Sequence, residues 1–130
     1  DQKYLDQAKK IADFMLAHPN MPEDKIPYWD YNAPDIPNAK RDASAAAILA
    51  SALMELKNYV DDGLSSQYFE TAETIIKNLS TEEYKASIGE IGGFILKHGV
   101  GHIPQGTEVD VPLTYADYYF VEAMKRYVEE

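Results

Sequence analysis

The sequence predicts an all-α fold in which helices alternate with connections of very different lengths. Four segments carry apolar residues at helical spacing, and only the stretch 93–96 suggests a short β-strand. The predicted connections have about 23, about seven and more than about 30 residues, whereas connections in compact helical bundles usually have about two to eight. The two long connections are therefore expected to have a function of their own.

Three of the four helices are predicted to be amphipathic. Apolar residues at every third or fourth position indicate helices over 2–17 and 66–79, and the segment 81–84 adds one short turn. The last helix begins after Pro112, a residue suited to the first helical position, and runs to about Val128.

The second helix is predicted to lie at the centre of the fold. It runs from Asp42, a residue suited to the N-cap, to about Tyr59. Its segment 43–53 contains only Ala, Ser, Ile and Leu, so it has no polar face and should be buried on all sides. The other helices leave one side of it uncovered, so we expect further chain or another subunit to cover that side. The residues expected to be almost inaccessible are Ala46, Ala47, Ala50 and Leu53.

The two long loops, 18–40 and 86–111, are predicted to share one end of the helical array. Consecutive antiparallel helices place every second connection at the same end, and the short connections only reverse the chain at the other end. Helical toroids build a cleft in this way. Function is therefore expected on the long-loop end.

Composition excludes several classes of protein. The net charge is −10 with a pI near 4.6, and the chain has no basic cluster, so nucleic acid and anionic membranes are poor partners. The absence of cysteine excludes disulfides, a zinc ribbon and a thiol nucleophile. No stretch of about 18 apolar residues is present, so a soluble protein is expected, and cytoplasm and periplasm both stay open. The sequence opens at Asp1 in a helical pattern, which favours a piece of a longer protein.

The first long loop combines aromatic and acidic side chains. Trp29 offers a flat face to a sugar ring, and Asp30 offers a carboxylate to sugar hydroxyls. The alternative is that the aromatic rings pack beneath a loop stiffened by prolines. The position of Asp42 at the end of the loop, where a helix begins, favours a role as helix cap over a role as catalytic acid. The remaining members of this cluster are Tyr28, Tyr31, Asn32 and Asp35.

The second long loop brings two histidines close to several glycines. His98 and His102 are suited to bind an anion or a sugar hydroxyl, with a structural role as the alternative. A metal pair at this spacing requires a helix, which the glycines and a proline oppose, so no metal is predicted. Gly99 and Gly101 allow the backbone to approach a ligand closely.

Two parts of the chain carry a specific resemblance to a known family. The first is YWDYNAPDIPNAKRDASAAAILASAL, at 28–53, and the second is GGFILKHGVGHIP, at 92–104, followed by EVDVPLTYADYYFVEAM, at 108–124. Together they resemble the C-terminal third of glycoside hydrolase family 88, the unsaturated glucuronyl hydrolases. The resemblance runs over most of the chain in the same order.

The resemblance implies an (α/α)6 barrel, of which residues 1–130 form a C-terminal portion that is incomplete alone. It implies removal of a 4,5-unsaturated uronic acid from the non-reducing end of oligosaccharides that polysaccharide lyases release. An aspartate protonates the enol ether and water adds at C5, with no metal or organic cofactor. The two central aspartates of the family lie upstream of the matched part. No residue here is therefore assigned a catalytic role, and the isolated chain is expected to be inactive.

The loops that match the cleft side of the family carry the predicted binding or cleft-shaping residues. Arg41 and Asp42 also match a family pair, with anchoring of the loop to the helix as their alternative role. The implied partner is an unsaturated uronic-acid oligosaccharide of unspecified polysaccharide origin. Related unsaturated rhamnogalacturonyl hydrolases, or a non-catalytic helical module that binds glycans or proteins, are the alternatives. The six predicted site residues are Trp29, Asp30, His98, Gly99, Gly101 and His102.

Overall fold

The computed structural model describes residues 1–129 and confirms the all-α prediction. Short 3-10 turns occur at Lys57–Tyr59 and Ile103–Gln105, and a two-stranded antiparallel sheet interrupts the second long loop. The strands are β1 (Gly99–His102) and β2 (Thr107–Val111). The helices are α1 (Gln2–Ala17), α2 (Ala43–Leu56), α3 (Asp62–Leu79) and α4 (Thr114–Val128).

Helix boundaries agree with the sequence pattern except at three ends. Helix α2 ends at Leu56, and the predicted remainder to Tyr59 forms a 3-10 turn. Helix α3 begins four residues before the predicted start at 66, because the Asp61 carboxylate accepts a hydrogen bond from Leu64 N and caps the helix earlier. Pro112 does not occupy the first helical position of α4, because Leu113 is the N-cap and the helix starts at Thr114. The predicted turn at 81–84 is confirmed by the hydrogen bond from Tyr84 N to Thr81 O.

The strand predicted at 93–96 was wrong. Leu96 makes only an isolated bridge to Lys85, whereas the sheet lies farther along, in β1 and β2. Asp117 of α4 explains why 93–96 does not extend: its two carboxylate oxygens accept hydrogen bonds from Ile95 N and Leu96 N, each at 2.8 Å. These amides are satisfied by a helix rather than by a neighbouring strand.

Helix α2 packs between α3 and α4 and forms the centre of the core. Its four predicted core residues are confirmed as buried: Ala46, Ala47 and Ala50 are 0% exposed and Leu53 is 1% exposed. Small side chains let the neighbouring helices approach closely. At the far end of α2, Arg126 of α4 donates hydrogen bonds to Ser51 O at 2.6 Å and to Ser51 Oγ at 3.0 Å.

One side of α2 is not covered by the described residues. An open apolar groove of about 930 Å³ runs between α1, α2 and α4, so α2 is not buried on all sides. Ile48 on its wall is 39% exposed, and α1 contributes Tyr4 at 71% and Ile11 at 51%. Within α1 only Ala12 is buried. The groove is the uncovered side that four helices were expected to leave.

Both long loops lie at the same end of the helices, as predicted. This end holds the start of α2, where Ala43 N donates to His98 O of the second loop at 3.1 Å. It also holds the end of α3, where Asn78 Nδ2 donates to Asp24 O of the first loop at 3.0 Å. Within residues 1–129, no helix combines the length and the apolar character needed to cross a membrane.

The side chain of Asp42 joins the start of α2 to β1. Its Oδ1 accepts hydrogen bonds from Ser44 N at 2.9 Å, Ser44 Oγ at 2.6 Å and Val100 N at 3.1 Å. Asp42 is 8% exposed, and its own amide donates to Pro27 O of the first loop at 2.9 Å. The predicted helix cap is therefore confirmed, and the same carboxylate also fixes the second loop.

Replacing Asp42 with Ala should lower the free energy of unfolding by about 2–4 kcal/mol. Loss of a helix cap costs about 1 kcal/mol, and leaving the buried Val100 N–H without a partner adds about 1–3 kcal/mol. Urea unfolding followed by circular dichroism measures the change. Asp61→Ala is the matched control, because this exposed side chain caps α3 by accepting a hydrogen bond from Leu64 N, and its loss should cost about 1 kcal/mol. Equal losses in the two variants would contradict a bridging role for Asp42.

Candidate active-site rim

The two long loops meet through one carboxylate. Lys40 of the first loop donates to Asp110 Oδ2 at 2.7 Å, and His98 Nδ1 lies 2.6 Å from Asp110 Oδ1. These side chains are partly exposed, with relative exposures of 54% for Lys40, 43% for His98 and 28% for Asp110. Asp110 thus contacts the first loop through Oδ2 and His98 of the second loop through Oδ1.

The backbone around this contact is strained. His98 has φ = 62° and Asp110 has φ = 58°, in the left-handed region that residues other than glycine seldom adopt. Each such residue costs on the order of 1–3 kcal/mol, and the surrounding contacts must hold it in place. Residues of this kind cluster at functional sites, which supports a role for His98 beyond packing.

The electrostatics of the contact favour an ionised Asp110. Hydrogen bonds from Lys40 and then from His98 lower the pKa of the Asp110 carboxyl below its ordinary value, against a smaller opposing effect of burial. Tyr84 packs edge-on against the His98 ring at a centroid distance of 6.0 Å. Burial raises the pKa of Tyr84 to about 12, so this phenol stays neutral beside the imidazole at physiological pH.

The first loop is closed on itself near its end. Tyr28 and Arg41 form an antiparallel bridge, and Trp29 N donates to Lys40 O at 2.9 Å. Arg41 donates to Ile26 O at 2.8 Å, pairs with Asp24 and lies 5.1 Å above the Tyr28 ring. These contacts favour the anchoring role for Arg41.

Trp29 and Asp30 follow directly after Tyr28, at the base of this closed segment. Trp29 is partly exposed and Asp30 is exposed, so both are accessible from solvent. Asp30 Oδ1 accepts a hydrogen bond from Asn32 N at 2.7 Å, which fixes the turn that follows. Their predicted role in binding a sugar is compatible with this position.

Gly99 and Gly101 occupy positions where the chain itself leaves no room for a side chain. A Cβ atom on Gly99 would lie 2.7 Å from Leu113 Cδ1 and 2.8 Å from Val111 O. On Gly101 it would overlap Glu108 Oε2 and lie 2.7 Å from Glu108 Cβ. The two glycines therefore permit close packing of β1 against β2 and against Leu113, the N-cap residue of α4.

His102 stands on the exposed end of β1. Its Nδ1 accepts a hydrogen bond from Gln105 N at 3.1 Å, which closes the 3-10 turn between the strands. The structure therefore brings His98 and His102 onto the same hairpin. Among the described residues, no three side chains of metal-binding type gather into a cluster.

Sequence patterns did not predict the contacts of four residues that build this end of the molecule. Lys40 and Asp110 are 70 positions apart, so no local spacing links them. Asp117 lies in the first turn of α4, and its carboxylate accepts hydrogen bonds from Ile95 N and Leu96 N, more than 20 positions away. Tyr31 stacks on His18 at 4.7 Å, and its buried Oη has no hydrogen-bond partner within residues 1–129.

Known proteins resemble this chain along nearly its whole length. No protein-family model matches it. The chain is 45% identical over 124 residues to the unsaturated glucuronyl hydrolase of Formosa agariphila, which covers 95% of this chain and 30% of that protein. It is 35% identical over 124 residues to the unsaturated glucuronyl hydrolase of Bacillus sp. strain GL1, and the match covers 94% of this chain and 32% of that protein. The chain thus spans about a third of the length of these relatives.

Solved structures show the same relationship. A crystal structure of an unsaturated glucuronyl hydrolase specific for heparin matches with a TM-score of 0.95 and 50% identity, over 99% of this chain and 34% of its own. The Streptococcus agalactiae enzyme complexed with dGlcA-GalNAc6S matches with a TM-score of 0.85 and 28% identity, over 100% of this chain and 34% of its own.

The fold and the position of the loops define this chain as a segment of α/α-barrel type. The resemblance to glycoside hydrolase family 88 is confirmed, and the chain is related to the unsaturated glucuronyl hydrolases over 95% of its length.

The contribution of Asp110 to stability should depend on pH. Because its pKa is lowered in the folded state, the contribution is present above the unfolded-state value of about 3.9 and is lost as pH falls through the folded-state pKa. Wild type should therefore be more stable than Asp110→Asn at about pH 6, and the difference should shrink toward about pH 2. Thermal unfolding across this range measures it.

Lys40→Met provides the comparison for this prediction. Lys40 is the largest cause of the lowered pKa, so the pH-dependent part of the Asp110 contribution should be smaller in the Lys40→Met background. A difference between wild type and Asp110→Asn that is the same at every pH would contradict the assignment.

Proposed function

We propose that this chain forms the rim-bearing third of a glycoside hydrolase that removes 4,5-unsaturated uronic acid from lyase-generated oligosaccharides. The observation that carries the proposal is that the two segments of family resemblance come together at one end of the helices, joined by Lys40, Asp110 and His98. The TM-score of 0.95 to the heparin-specific enzyme supports the same arrangement.

The complete catalytic domain is proposed to be an (α/α)6 barrel in which residues 1–130 are one portion. The apolar groove along α1, α2 and α4 supports this reading, because Tyr4, Ile11 and Ile48 are exposed on it. An apolar surface of this kind marks a site of contact with further polypeptide. In the proposed domain, the remaining helices of the barrel pack into the groove.

The chemistry of the proposed reaction is hydration of an enol ether. An aspartate outside this chain protonates the C4=C5 double bond, water adds at C5, and the resulting hemiketal opens to release the neighbouring sugar. The residues described above contribute binding rather than proton transfer. Trp29 offers a stacking face, while Asp30, His98 and His102 offer polar contacts to sugar hydroxyls or acidic groups.

The proposed substrates are unsaturated oligosaccharides derived from glycosaminoglycans. Three kinds of relative support this class by their own names: an enzyme specific for heparin, an unsaturated chondroitin disaccharide hydrolase of Streptococcus pneumoniae, and the dGlcA-GalNAc6S complex. The heparin-specific enzyme has 50% identity to this chain, against 28% for the S. pneumoniae protein. Heparin-derived disaccharides are therefore the first substrates to assay.

A chimera tests the proposed function directly. Residues 1–130 replace the corresponding third of the F. agariphila enzyme, which is 45% identical over the matched region. The chimera should consume an unsaturated disaccharide, seen as loss of the ultraviolet absorbance of the C4=C5 bond, whereas residues 1–130 alone should not. A folded chimera without activity, or turnover by the isolated chain, would contradict the proposal.

Substitutions on the rim of this chimera should weaken substrate binding. Trp29→Ala removes a stacking surface and His102→Ala a hydrogen bond, and each loss of about 0.5–1.5 kcal/mol corresponds to a rise in KM of about 2- to 10-fold. Steady-state kinetics measure the change, with kcat expected to vary less. Tyr127→Ala is the matched aromatic control, since Tyr127 is partly exposed in the last turn of α4, at the end opposite the loops and outside the apolar groove. Wild-type kinetics for both rim variants would place these loops outside the site.

A further inference from the structure

The three histidines of the chain differ in what their ring nitrogens contact. His98 Nδ1 faces a carboxylate oxygen of Asp110 at 2.6 Å. His102 Nδ1 accepts a hydrogen bond from Gln105 N at 3.1 Å, and His18 Nδ1 accepts one from Asn20 N at 3.1 Å. One ring therefore meets an acceptor at Nδ1, whereas the other two meet backbone donors at the same atom.

These contacts determine where the proton of each neutral ring resides. A backbone N–H can only donate, so Nδ1 of His102 carries the lone pair and its proton is on Nε2. An ionised carboxylate can only accept, so Nδ1 of His98 carries the proton and Nε2 carries the lone pair. The two rings of the hairpin thus have opposite tautomers.

The orientation of the Asp110 carboxylate is itself fixed. Lys40 Nζ lies 2.7 Å from Oδ2, which leaves Oδ1 for His98. His98 and Asp110 both hold left-handed backbone conformations, and His98 O accepts a hydrogen bond from Ala43 N at the start of α2. His98 is therefore held at its backbone carbonyl, at Nδ1 and through the T-shaped contact of its ring with Tyr84.

We propose that Asp110 is a positioning residue that fixes the Nδ1–H tautomer of His98, so that the hairpin offers a hydrogen-bond acceptor at His98 Nε2 and a donor at His102 Nε2. His98 then takes a hydroxyl group of the sugar, and His102 takes a hydroxyl, carboxylate or sulfate oxygen. The ligand assignment rests on the proposed function. The tautomers rest only on the contacts within this chain.

Nitrogen NMR of the uniformly 15N-labelled chain tests the proposal. Long-range 1H–15N spectra at about pH 9, where imidazoles are neutral, distinguish protonated from bare ring nitrogens. We expect Nδ1–H for His98 and Nε2–H for His102 and His18, so the last two serve as internal references. A predominant Nε2–H form of His98, or equal populations of its two tautomers, would overturn the proposal without any variant.

Asp110→Asn should invert the tautomer of His98. Lys40 can only donate, so it selects the carbonyl oxygen of the new amide and turns the amide N–H₂ toward His98 Nδ1. Nδ1 then becomes the acceptor and the major form becomes Nε2–H. In Lys40→Met the carboxylate is retained, so His98 should keep Nδ1–H. Retention of Nδ1–H in Asp110→Asn would show that Asp110 does not set the tautomer.

The sugar assignment is tested separately in the chimera. Asp110→Asn should raise KM for the unsaturated disaccharide, because the hydroxyl that donates to His98 Nε2 would have to turn and accept from Nε2–H, and its own O–H would lose this acceptor. An unchanged KM together with the inverted tautomer would overturn the sugar assignment. If the parent chimera itself does not turn over substrate, the proposed function is contradicted. The tautomers are measured by NMR on the chain alone, so that result does not depend on the chimera.

Discussion

The buried carboxylate of Asp42 is the interaction on which the rest of the structure depends. It caps α2 and accepts a hydrogen bond from Val100 N of β1. The Asp42 amide donates to Pro27 O of the first loop, and the next amide, that of Ala43, donates to His98 O of the second loop. Contacts at Asp42 and Ala43 therefore fix the start of the central helix relative to both long loops. With α2 fixed there, its small side chains allow α3 and α4 to pack against it, and the loop ends are brought within reach of each other.

The helices could be predicted because their signals are local. Apolar spacing, N-cap residues and turn residues lie within each segment, and the absence of a polar face on α2 indicated both its central position and its uncovered side. The β1–β2 hairpin could not be predicted in the same way. Gly-Val-Gly-His has no alternating apolar pattern, and three residues of the hairpin region adopt positive φ without being glycine: His98, Glu108 and Asp110.

The position of the candidate rim could be predicted from the sequence, but the hydrogen bonds between its residues could not. Composition and family resemblance pointed to Trp29, Asp30, His98 and His102, and the structure puts their loops at one end of the helices. Gly99 was expected either to bind a ligand or to shape the cleft, and the space beside it holds Leu113 and Val111. The bond between Lys40 and Asp110 spans 70 positions, and only the packing of the helices brings these residues together.

The sharing of Asp110 between two loops has a consequence for how such a rim changes during evolution. A substitution at Lys40 removes one of the two hydrogen-bonding partners of the Asp110 carboxylate, and the other partner is His98. Lys40 thus influences His98 although the two residues belong to different loops. The loops therefore cannot be tuned independently, and sequence changes at 40, 98 and 110 should occur together across related proteins. Asp30 instead accepts its hydrogen bond from Asn32 N within the same loop, so a change at Asp30 does not act on the second loop through Asp110.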